Sequence, residues 1–238
     1  MDYEEFNYQS VATREAQVSA AFPALMRKVY VWMSLALVIT GLTAYMVATS
    51  ESLLTLIYSN RAVMWIMIGV ELAIVIGVSA AINKLSLPVA TLLFVLYSVI
   101  NGALLSSIFL IYTTSSIATV FFITAGTFAA MSIYGYTTKT DLTSMGKLLM
   151  MAVIGLIIAT VVNLFMKSSG LEMIISYAGV LIFVGLTAYD TQKIKEMCLQ
   201  APDASETMQK YALLGALSLY LDFINLFIYL LRIFGRRE

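Results

Sequence analysis

The sequence predicts an all-α membrane protein, a seven-transmembrane-helix bundle with the seventh helix central and surrounded by helices one to six. Three observations predict it. Hydrophobic residues fill 61% of 238 positions, charged residues only 12%, and mean hydropathy is +0.90; a soluble domain carries about twice that charged share. Seven apolar stretches approach the ~20 residues that a helix needs to cross a bilayer. The last of them, YALLGALSLYLDFINLFIYLLRIF, carries Tyr211, Gly215, Ser218, Asp222, Asn225, Tyr229 and Arg232 in steps of four and three. That spacing puts small and polar residues on one helical face. In lipid such a face must turn toward protein or a watery cavity, which places this helix at the centre.

In chain order, residues 1–26 read as a polar cytosolic tail and residues 27–238 as one transmembrane domain. Its spans fall at about 29–48, 62–82, 87–112, 117–134, 145–166, 173–190 and 210–233. Arg27 and Lys28 open the first. Asn60-Arg61 precede the second, with Glu71 at its midpoint. Pro88 sits in the first turn of the third, where proline is tolerated. Thr113 to Ser116 forms a turn, and a polar loop from Tyr136 to Thr143 holds Lys139 and Asp141. The fifth span ends at Lys167-Ser168-Ser169-Gly170. The sixth runs into Asp190, and a long polar loop from Thr191 to Gln209 follows. Three prolines (Pro23, Pro88, Pro202) lie outside the span interiors, so proline-broken transporter helices are not indicated.

Composition removes several function classes. Net charge is +0 with no basic stripe, so nucleic acid is not an expected partner. A single cysteine, Cys198, excludes an intrachain disulfide and a cysteine metal site. Histidine is absent, which leaves proton sensing near neutrality mainly to carboxylates. No resident cofactor is expected. The start, MDYEEFNYQSVATREAQ, lacks a signal-peptide pattern, so the first span is expected to act as its own insertion signal.

Basic residues set the orientation. With the N-terminus cytosolic, Arg14, Arg27, Lys28, Lys84, Lys139, Lys147, Lys193, Lys195 and Lys210 share that side, and Arg61 and Lys167 face the other. Arg232, Arg236 and Arg237 oppose the rule, because seven crossings put them outside. Either the rule fails at the last helix or that segment returns to its side of entry.

Three carboxylates stand inside spans, where ionised groups cost several kcal/mol and mark function by default. Asp222 lies roughly 15 Å from either charged end of its helix at ~1.5 Å per residue, with Ser218 and Asn225 on its stripe as candidate lining of an ion pathway. The plainer reading is a bundle lock made by hydrogen bonds. Asp190 closes the sixth span, where the negative end of the helix dipole disfavours its charge; the plainer reading is an interfacial carboxylate. Glu71 has no polar neighbour within a turn and must be protonated or bonded to another helix. It joins Asp222, Asn225 and Ser218 as a candidate ion-pathway residue, with a structural and a proton-relay reading both open.

AYDTQKI at the end of span six and LSLYLDFINLFIYLLRIFG in span seven resemble the signature of the Bax-inhibitor family, the transmembrane Bax inhibitor motif proteins. Span order and the mid-span glutamate of span two agree over the chain from about residue 25. The compact N-terminus is similar to bacterial members, which implies the plasma (inner) membrane. The resemblance implies a pH-dependent calcium leak, with its paired aspartates at Asp190 and Asp222 as sensor and as Ca²⁺ ligands, and its glutamate at Glu71. Some members place arginines at the end of span two as a latch on the aspartates. Here Ala80-Ala81-Ile82-Asn83-Lys84 stands there, and Lys84 would serve only loosely, without a guanidinium fork. The loop between spans six and seven looks longer than in compact bacterial members.

Two neighbouring carboxylates cannot both ionise cheaply, so such a pair holds one proton. Protonated, it would tie spans six and seven together and plug the path. Deprotonated, it would open the cytosolic mouth and offer hard oxygen ligands to Ca²⁺. Calcium ions, protons and the bilayer are the expected partners, with Ca²⁺ as transported ion, and no enzyme activity is expected. A non-conducting scaffold for other membrane proteins is the first rival. An intramembrane aspartyl protease is the second: Tyr189-Asp190 fits it, but Leu219-Tyr220-Leu221 replaces the Gly-x-Gly lead-in to the second aspartate.

Overall fold

A computed structural model describes residues 3–237, with side chains from residue 21 onward. The described residues form helices α1 (Tyr3–Ala48), α2 (Glu51–Tyr58), α3 (Arg61–Ala81), α4 (Leu87–Leu105), α5 (Ile108–Ile111), α6 (Thr114–Thr137), α7 (Thr143–Met166), α8 (Ser169–Leu199) and α9 (Glu206–Phe234). Seven are long and apolar enough to cross a membrane, with α4 and α5 making one span together. Most side chains of the tail expected over 1–26 lie outside the described residues, but Ala21, Leu25 and Met26 are buried in the bundle. Pro23 accordingly sits inside α1 rather than ahead of the first span.

Local chemistry fixes several helix ends. Asn60 accepts a 2.9 Å bond from the Ala62 amide at the start of α3, and Ser168 caps α8 through the Leu171 amide. These caps satisfy amides that the first turn leaves free. Lys167 takes a left-handed conformation (φ 51°) that closes α7.

The burial pattern sorts the helices by position. Of the most apolar stretch of α9, 67% is buried; for α7 the share is 6%, although α7 is the more hydropathic. Hydropathy therefore does not rank the helices by burial: the buried side of α9 is mostly Leu, Phe and Ile. Of its polar stripe only Gly215 and Asp222 are buried, while Ser218, Asn225 and Tyr229 are partly covered and Arg232 is exposed. α9 packs mainly on α8, α1, α6 and α4, while α3 leans on α4 and α7 on α8. One continuous apolar core joins these elements.

Three expected boundaries change. α8 does not stop at Asp190 but runs on to Leu199, leaving only residues 200–205 as the connection to α9. Thr191, Gln192, Ile194 and Cys198 are buried while Lys193 and Glu196 point outward, so the charged run is an amphipathic helix and not a loop. The expected long loop between spans six and seven is thereby corrected. The third span breaks at Ser106-Ser107, where Ser106 turns its hydroxyl onto the Ala103 carbonyl at 2.7 Å. Finally, α2 fills part of the first interspan loop. Its Tyr58 hydroxyl donates to the Leu104 carbonyl at 2.9 Å and accepts from the Ser107 amide at 3.2 Å, satisfying groups freed by that break.

Candidate functional site

The site forms where α8 and α9 run antiparallel. Gly215 of α9 faces Ile194 of α8, and Gly179 of α8 faces Tyr229 of α9, each glycine admitting a side chain that a Cβ would crowd. This register sets Thr187 level with Asp222 and puts Asp190 one turn, ~4.5 Å, nearer the connecting loop. The two carboxyls are near enough that the charge of Asp190 acts on Asp222. No direct hydrogen bond joins them among the described residues.

Asp222 is 4% exposed, and its Oδ2 is fully buried with no hydrogen-bond partner. A polar atom in that state costs several kcal/mol in an apolar surround. Asp190 is half-buried and opens on a cavity of about 480 Å³ between α3, α8 and α9, shared with Ser79, Tyr211 and Ser218. Ser218 lies one turn before Asp222 on the same face. Asn225 spends its amide on the Leu221 carbonyl of its own helix, at 2.8 Å.

Asp190 does not lie at a helix terminus, which corrects the dipole argument; α8 continues for nine residues, ~13.5 Å. The cation that acts on it is Lys193, three residues on, which also sits 5.9 Å from the Tyr189 ring centroid. Lys84 is exposed on the turn after α3, outside that cavity. The spacing of Asp190 and Lys193 reads as one helical face only once α8 is seen to continue.

Glu71 does not join the aspartates. It accepts a hydrogen bond from Asn101 Nδ2, and Tyr97 lies beside the same carboxylate. Asn101 Oδ1 accepts from the Tyr220 hydroxyl at 3.0 Å, which also bonds Thr40 Oγ1 at 2.7 Å. Thr40 in turn donates to the Ser98 carbonyl at 3.0 Å. This network ties α3, α4, α9 and α1 on a different face of α9, since Tyr220 and Asp222, two residues apart, point ~200° away from each other around the helix. The expectation that Glu71 is bonded across to another helix is met; Tyr220 and Thr40 were not expected, because no local pattern links them.

A second set of unforeseen contacts binds the start of α9 to the turn between α3 and α4. Buried Lys210 donates to the Leu85 carbonyl at 3.0 Å, Tyr211 to Asn83 Oδ1 at 2.9 Å, and the Leu87 amide to Glu206 at 3.0 Å. These close the end of the bundle onto which the Asp190 cavity opens.

No group of three or more acidic, cysteine or histidine side chains gathers as a metal cage among the described residues. Two carboxylates and the Ser218 hydroxyl supply hard oxygen donors but fewer than the roughly six to eight that Ca²⁺ prefers.

Comparison with known proteins agrees over nearly the whole chain. The family described as inhibitor of apoptosis-promoting Bax1 matches residues 23–238. The inner membrane protein YbhL of Escherichia coli is 51% identical over 224 residues, covering 93% of this chain and 95% of that protein. An uncharacterized protein of Borreliella burgdorferi is 48% identical over 226 residues, covering 95% and 97% of the two chains. The uncharacterized protein YrjE of Lactococcus lactis is 36% identical over 224 residues, covering 92% and 93%.

Proposed function

This chain belongs to the Bax-inhibitor family, and we propose that it is a pH-sensitive calcium-leak channel gated by Asp190 and Asp222. The observation that supports this reading most is the unpartnered, buried Oδ2 of Asp222 one helical turn from a carboxylate that opens on a cavity. With one proton on the pair, a hydrogen bond between the carboxyls after a small side-chain rotation would close α8 onto α9. Loss of that proton leaves two negative charges on adjacent helices, whose repulsion opens the same seam. The pair then offers carboxylate oxygens to a cation entering through the cavity beside Ser218. The N-terminus is cytosolic in this reading, so the cavity faces the cytosol. Low pH closes the path and higher pH opens it.

Lys193 takes the part that the sequence reserved for Lys84. Its ammonium can swing between the Tyr189 face and the Asp190 carboxylate, partly offsetting the charge that opens the gate. Glu71 is outside the pathway here; its network holds α9 in register.

The test is calcium efflux from loaded vesicles containing purified protein, followed between about pH 6 and pH 8 with Asp222→Asn and Asp190→Asn beside wild type. Each variant is expected to flatten the pH profile. Wild-type protein that passes no calcium at any pH, or a profile that survives both substitutions, would discard the reading.

A further inference from the structure

The end of the bundle away from the Asp190 cavity holds a second, larger space that the proposed leak does not use. About 750 Å³ lies between α5, the end of α7, the start of α8 and the last turns of α9. Its lining is mixed: apolar Ile111, Ile228 and Leu231 stand beside Thr160 and Asn163, and Lys167, Arg232 and Arg237 share it with one carboxylate, Glu172. Glu172 meets Arg237 only at 3.8 Å, with both side chains about half exposed, a pairing worth little in water. Arg232 rests 5.4 Å from the Tyr229 ring centroid and makes no ion pair among the described residues.

We propose that this cavity binds the phosphate of an anionic phospholipid, with one acyl chain against Ile111, Ile228 and Leu231. The depth fits: all three cations sit where α7 and α9 end and α8 begins, the level at which spans leave the hydrocarbon and meet headgroups. The chemistry fits too, since guanidinium and ammonium groups converging on one space are the usual phosphate ligands, and basic pockets between membrane helices take lipid headgroups. The lipid also accounts for Arg232 and Arg237 on the side that the basic-residue rule disfavours: they are ligands, not orientation signals.

The experiment is native mass spectrometry of the full chain in detergent with added dioleoyl phosphatidylglycerol. One retained lipid per chain is expected, weakened on the order of tenfold by Arg232→Gln and by Lys167→Asn, the latter chosen because asparagine tolerates the left-handed backbone there. Arg232→Lys should keep most of the binding, and Lys139→Gln, at the opposite end of the bundle, should leave it unchanged. Variants are compared only where their lipid-free melting matches wild type; if Arg232→Gln misfolds, the exposed Lys167→Asn decides alone. Equal retention by the charge-removing variants overturns the site, as does equal binding of dioleoylglycerol, which lacks the phosphate. Displacement of the lipid by an equal concentration of inorganic phosphate overturns the lipid as ligand. None of these readouts depends on calcium flux, so the failure of either proposal leaves the other standing.

Discussion

Replacing Gly135 by alanine sets two forces against each other in one helix. Gly135 of α6 lies where α6 and α8 come closest: a Cβ there would fall 2.2 Å from the Ala188 carbonyl oxygen and 2.9 Å from its Cα, both backbone atoms. Backbone cannot rotate aside as a side chain can, and Ala188 is fully buried. Restoring an ordinary contact near 3.4 Å requires the helices to part by ~1.2 Å. Overpacking of that kind costs about 1–3 kcal/mol. Gly126 lies on the same helix, and a methyl group added there would meet nothing within 4 Å. Alanine at that position only removes glycine's helix penalty and gains up to about 1 kcal/mol. Both positions lie within α6, so the gain from removing glycine is shared and the two substitutions should differ in stability by the overpacking cost, about 1–3 kcal/mol. Reversible unfolding in mixed detergent micelles measures this directly. Because Ala188 precedes Asp190 by two residues, the destabilised variant should also shift the pH profile of calcium efflux, whereas Gly126→Ala should not. Equal stability of the two variants, within ~0.5 kcal/mol, would refute the claim that α6 and α8 are locked by backbone contact.

Three further outcomes are expected. Tyr220→Phe keeps the edge-on ring packing against Phe94 and Tyr97 but strips Asn101 Oδ1 of its donor; a loss of about 0.6–2 kcal/mol is expected, and a double-mutant cycle with Asn101→Val should show coupling absent from a cycle with Val120→Ala. Lys210→Met leaves the Leu85 carbonyl without its ammonium, and hydrogen exchange over residues 82–86 should quicken while α7 stays unchanged. Hydrogen bonds from Thr143, its side chain first and its amide second, hold the exposed Asp141 carboxyl below its ordinary 3.8. A depressed folded-state value means that this contribution is complete above pH 3.8 and fades as pH falls through the lower folded value. Acid should therefore lower the amide protection factors in the first turn of α7, taken against the intrinsic exchange rate at each pH, and Asp141→Asn should remove that acid-induced change.

How much of this was legible in the sequence differs by element. Span number and order followed from apolar length alone, since a backbone in lipid has few ways to satisfy its amides besides a helix. The deep burial of α9 is consistent with the stripe through Gly215, Ser218 and Asp222, a pattern contained within one helix. Asp190 was identified as a site residue, but its setting was misplaced. The charges in TQKIKEM masked an amphipathic turn whose buried side is evident only when α9 and α1 are present to cover Ile194 and Cys198.

What is local or periodic could be read from the order of residues: seven crossings, their approximate limits, a polar-faced last helix and three carboxylates too deep to be casual. Which of those carboxylates share a space became visible only with the helices packed. The α8–α9 register, set by Gly215 on Ile194 and Gly179 on Tyr229, puts Asp190 and Asp222 about one turn apart along one seam. Glu71 is drawn instead to Asn101 and Tyr220 on another face of α9. The reason is geometric: a helix repeats every ~3.6 residues, so sequence spacing sets the face a residue occupies, while the neighbour that face meets depends on how whole helices pack.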